Sequence, residues 1–81
     1  MADDIWDKPI ELMVDNSDHF HCVGNSREAM AFLAMRWPGD RDAAYAAARR
    51  ACLKAIEGRA RTDEARAAFL SAADKAGILR H

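Results

Sequence analysis

The side chains best equipped for chemistry in this 81-residue chain are few and scattered. His19 and His21 stand two apart in "HFHCV", a spacing that turns both imidazoles to one face of an extended strand. Such a pair chelates a metal when a third ligand converges on it, but Cys22 turns to the opposite face and Asp18 belongs to a turn. The pair therefore reads as solvent-facing, and no metal is expected. Cys52 would need a neighbouring base and a lowered pKa to act as a nucleophile. It falls instead on the apolar stripe of a helix, where a thiol is inert. The two cysteines are thirty residues apart with no paired spacing, which excludes the usual zinc and redox motifs and a disulfide framework. Free thiols in a reducing compartment follow. The chain has no glycine-rich phosphate loop, no Ser-centred elbow and no metalloprotease pair. No catalytic residue is nominated, no cofactor is expected, and no small-molecule substrate is evident.

Charge offers the other chemistry. The net charge of −1 favours neither nucleic acid nor membrane, but its distribution is uneven. Residues 1–18 carry Asp3, Asp4, Asp7, Glu11, Asp15 and Asp18 against Lys8, a local balance of −5. Residues 49–61 carry Arg49, Arg50, Lys54, Arg59 and Arg61 against Glu57, a local balance of +4. That basic ridge spans a short Gly-containing turn, "GRAR", between two helices, as in helix-turn-helix units. A recognition helix reads bases with its N-terminal residues, however, and here that end begins Thr62-Asp63-Glu64. Two carboxylates would meet the phosphates. Nucleic-acid binding by the ridge is thus the second reading, mainly non-specific, and nucleic acid is not the expected partner.

These residues must be carried by a small scaffold. Hydrophobic residues make up 51% of the chain, but 18 of them are Ala, which removes little area from water and favours helix. Residues 1–8 read as a flexible lead-in, pinned if anywhere at Trp6, and 9–81 as one domain. "PIELMV" alternates, with Ile10, Leu12 and Val14 on one face, as in a half-buried strand. "DNSD" supplies turn chemistry, and "HFHCV" follows with Phe20 and Cys22 assigned to the core face, completing a hairpin. Asn25 with Glu28 three residues on predicts a capping box and a helix from Ser26 to about Arg36, with Met30, Leu33 and Trp37 on its stripe. Trp37-Pro38-Gly39 stops that helix, and Trp37 is placed to wedge the corner. A second helix is predicted from Asp40 as N-cap to Glu57, with Tyr45, Cys52 and Ile56 inward and Gly58 beyond its end. A third starts at Thr62 as N-cap, buries Phe69 and ends at Gly77, with Ile78 folding back on Ala73. The core set is Ile10, Leu12, Val14, Phe20, Met30, Leu33, Trp37, Tyr45, Cys52, Ile56 and Phe69. The fold class is α+β, a hairpin on three helices in the order ββααα.

The ordered motifs Ser26-x-Glu28-Ala29, Trp37-Pro38, Ala48-x-x-x-Cys52-x-x-Ala55-Ile56-x-Gly58 and Ala65-Arg66-x-x-Phe69-x-x-Ala72-Ala73-x-x-Ala76-Gly77 run through nearly the whole chain. In these the chain resembles the small proteins grouped as domain of unknown function 982, found mainly in rhizobia and related α-proteobacteria. The resemblance spans about residues 9–79 and implies the ββααα domain in a bacterial cytoplasm; it implies no reaction. The acidic N-terminus is unlike a signal peptide, and no apolar run reaches membrane-spanning length, which also points to the cytoplasm. A two-stranded hairpin leaves edges to be managed, and pairing one across a two-fold axis would enlarge a small core. The sequence therefore predicts a non-catalytic protein-interaction or structural module with a protein partner as yet unidentified, a homodimer being one form. A partner groove would draw on Met13, Val23, Met35 and Leu70.

Overall fold

The alternation of apolar and polar residues in the first third of the chain forms an antiparallel hairpin, β1 (Ile10–Met13) and β2 (Phe20–Val23). Three helices follow: α1 (Ser26–Met35), α2 (Ala43–Ile56) and α3 (Thr62–Ala76). The structure is a computed structural model, and it describes residues 4–13 and 20–79. Val14 and His19, and with them the metal reading of the histidine pair, lie outside the described residues. Among the described residues no cluster of three metal-ligating side chains occurs, and no helix is long and apolar enough to cross a membrane.

The hairpin register pairs Ile10 with Val23 and Leu12 with His21. Residues directly opposite share a face, so Ile10, Leu12 and Val23 are all buried while Phe20 is 47% exposed and Cys22 is exposed. This corrects the assignment of Phe20 and Cys22 to the core. Both parities of "FHCV" carry apolar residues, and the register rather than the alternation decides between them. His21, on the inner face, stacks on Phe32 with ring centroids 5.2 Å apart.

Helix α1 has each of its first N–H groups accounted for. Asn25 Oδ1 accepts from Glu28 N (2.8 Å), and Glu28 Oε1 accepts from Gly24 N (2.8 Å), one residue earlier than a capping box prescribes. The amides of Ser26 and Arg27 donate to Asp4, 2.9 and 3.1 Å away. Helix α2 is capped by Asp42, which accepts from Tyr45 N at 3.0 Å, and not by Asp40. The Asp40 carbonyl is taken by Trp37 Nε1 (3.2 Å), which closes the corner after Pro38. Thr62 is the first residue of α3 rather than its cap, and its hydroxyl donates to Asp4 (3.2 Å).

Both α2 and α3 end in a left-handed glycine. Gly58 N and Arg59 N donate to Ala55 O and Lys54 O, and Gly77 N and Ile78 N donate to Asp74 O and Ala73 O, the paired bonds of a Schellman stop. The second stop turns the chain back to the hairpin: Met13 N donates to Ile78 O at 2.7 Å, and Leu79 bridges Leu12.

The core lies where α2 and α3, which form the most extensive contact, meet α1 and the hairpin. Ala48, Cys52 and Ala55 on α2, with Ala65, Ala72 and Ala73 on α3, let backbones approach, while Phe32 and Phe69 fill the space between layers. Leu33, Tyr45 and Phe69 are buried; Met30 and Trp37 are half-buried and packed against the core, and Ile56, expected inside, is half-buried and not part of it. Trp37 touches the rings of Phe32, Tyr45 and Phe69 at 5.8–6.2 Å, so it wedges the corner from a half-exposed position.

Residues 4–8 are part of this body. Trp6 is only 3% exposed, its ring 5.7 Å from Phe69 and its Nε1 3.4 Å from Ser26 Oγ. Lys8 O accepts from Arg66 Nε at 2.9 Å. The lead-in is thus anchored at Asp4 and Trp6, while Ile5, Asp7 and Lys8 are exposed.

Candidate functional site: the open edge of the hairpin

A sheet edge is a row of backbone donors and acceptors, and the two edges of this hairpin differ. The outer edge of β1 is covered by Ile78 and Leu79. On the far side of β2 no strand lies among the described residues. Native edges are usually blunted by charge, proline or a bulge. The residues of β2 are Phe20, His21, Cys22 and Val23, with no lysine, acid or proline.

Apolar atoms flank this edge. On the outer face Met13 and Phe20, directly opposite in the register, are both exposed. Towards α1, an open groove of about 340 Å³ is lined by His21, Ala31, Phe32 and Met35, with Glu28 and Arg36 also on it. Met35 is 83% exposed. Of the residues expected to build a partner groove, Met13 and Met35 are therefore at the surface. Val23 is fully buried and Leu70 is half-buried against the core, so neither belongs to it.

The thiols separate in the same way. Cys22 is exposed on the outer face, and Cys52 is buried. Burial, with the nearby charge of Asp4 as a lesser cause, pushes the Cys52 thiol up to about 12. A thiol held protonated in this way is a poor nucleophile.

The basic ridge is divided. Arg59 lies 3.5 Å from Glu57 and Arg61 3.3 Å from Asp63, so the turn that resembled a helix-turn-helix carries locally paired charges. Arg49, Arg50 and Lys54 remain exposed on α2. Sequence reasoning named Trp6 as the pin of the first eight residues, but it missed the covered edge of β1, since nothing in "GILRH" marks it as a strand partner, and it missed Asp4 because those first residues lack periodicity.

A family model described as "Protein of unknown function (DUF982)" matches residues 8–80. No curated protein matches the chain. Among solved structures, an NMR structure of an Agrobacterium tumefaciens protein, a structural genomics target, aligns with a TM-score of 0.79 at 30% identity. The alignment covers 99% of this chain and 79% of that one.

Proposed function

This chain belongs to the DUF982 family of proteins of unknown function, and from that premise we propose that it is a non-catalytic protein-interaction module that joins a second copy of itself through β2. The observation that supports this reading is the asymmetry of the hairpin: the chain's own Ile78 and Leu79 lie along β1 at Leu12 and Met13, while among the described residues no strand lies beyond β2, which is flanked by exposed apolar side chains. A second β2 supplies the matching backbone groups. Because side chains alternate, only registers that set even-numbered residues opposite even-numbered ones keep Phe20 and Cys22 outward. Phe20 then faces Cys22 of the second copy, or one of these two residues faces its own counterpart. The groove against α1 also suits a two-fold axis, since Glu28 and Arg36 on one helix set opposite charges against their symmetry mates.

Cys22 is a built-in probe of this pairing. A short bis-maleimide should cross-link the protein through Cys22 to a dimer, and Cys22→Ser should abolish the product. Phe20→Lys, which places a charge on an exposed face, should also abolish it while leaving the circular dichroism spectrum unchanged. Cross-linking that is absent in the wild type, or indifferent to Phe20→Lys, contradicts the reading.

A further inference from the structure

The corner that links α1 to α2 builds a second feature, which shares no residue with β2 or its groove. An open cleft of about 520 Å³ is lined by Arg41, Tyr45, Ala46, Arg49, Arg50 and Leu53. Three guanidinium groups border it and no carboxylate does. Arg41 is held in place from two sides: its Nη2 donates to Ala34 O (3.4 Å), and its guanidinium lies 5.2 Å over the Tyr45 ring. The ring is itself fixed, because Tyr45 Oη donates to Leu33 O at 2.8 Å. The side chains of Arg49 and Arg50, one helical turn further on, have neither ion pair nor hydrogen bond among the described residues. They differ in this from Arg59 and Arg61, whose charges are met locally.

We infer that this cleft binds the phosphate of a small organic phosphate monoester, with Arg41, Arg49 and Arg50 as the anion clamp and Ala46 and Leu53 as a shelf for the organic part. Guanidinium forks match the oxygens of a phosphate two at a time, and a fixed aromatic floor holds one of the three forks ready. The volume is in the range of small-ligand sites. Leu53, 40% exposed beside Arg49 and Arg50, gives the cleft an apolar end that an inorganic ion would not use. Sequence alone does not show the clamp. Arg41 lies outside the 49–61 ridge and reaches the others only because Pro38 and Gly39 turn the chain there.

The test is an amide and arginine side-chain NMR titration with potassium phosphate and with adenosine monophosphate, against potassium chloride at matched ionic strength. Saturable shifts confined to residues 41–53 are expected with both, and the nucleotide should bind at least about tenfold more tightly. Arg49→Gln with Arg50→Gln should remove both responses, whereas Lys54→Gln, off the cleft, should leave them. These side chains are exposed, and the unshifted remainder of the spectrum reports that the variants fold. Shifts no larger than in chloride, or unchanged in the double variant, overturn the inference. Equal affinity for the two ligands overturns the organic-phosphate assignment. Tighter binding of duplex DNA, with shifts spreading to Lys54, Arg59 and Arg61, overturns it in favour of nucleic acid.

Discussion

At the scale of the residue, Asp4 does more than its place near the N-terminus would lead one to expect. Its carboxylate accepts from the amides of Ser26 and Arg27 and from the Thr62 hydroxyl, tying residues 4–8 to the first turns of α1 and α3. Burial alone would raise its pKa, but these hydrogen bonds outweigh that and hold it below its ordinary value. A carboxyl depressed in the folded state stabilises the fold above its unfolded pKa, about 3.9 for Asp, and loses that contribution as pH falls through the folded value. Asp4→Asn should therefore cost about 1 kcal/mol near neutral pH, as loss of a helix cap does. In urea denaturation the gap between wild type and variant should close on acidification below pH about 4. A gap that is absent at pH 7, or constant with pH, would show that the tether does not form.

At the scale of the element, the legible parts were those with local causes. The helix stops at Gly58 and Gly77, the Asn25 cap and the break at Trp37-Pro38-Gly39 are each set by a few adjacent residues, and the sequence carries them. Gly39 leaves space at this corner: a Cβ would come within 3.1 Å of Ala76 Cβ and 3.3 Å of Trp37 Nε1. The illegible parts depend on contacts distant in sequence. Which face of β2 turns inward is decided by its register on β1 and by Phe32 beneath it, and the covering of β1 by Ile78 and Leu79 joins residues more than sixty positions apart. The inversion of β2 has a direct energetic signature. Phe69→Ala, in the core, should cost about 3–5 kcal/mol, whereas Phe20→Ala, half-exposed, should cost less than about 1 kcal/mol. Equal costs, measured by chemical denaturation of the monomer, would return Phe20 to the core.

At the scale of the whole molecule, the chain closes on itself. Its radius of gyration, 11.6 Å, matches the roughly 11.7 Å of a compact domain of this length. Among the described residues no buried side-chain polar atom lacks a partner. On the proposed reading, pairing through β2 would add contact to a domain whose described buried polar side chains already have partners. The association should be reversible and dependent on concentration, unlike that of an obligate dimer. Sedimentation velocity over a concentration series tests this most directly. The account predicts a species of twice the 9.0 kDa chain mass that grows with concentration and is lost in Phe20→Lys. A single 9.0 kDa species up to high micromolar protein, or a dimer that survives Phe20→Lys, would contradict it.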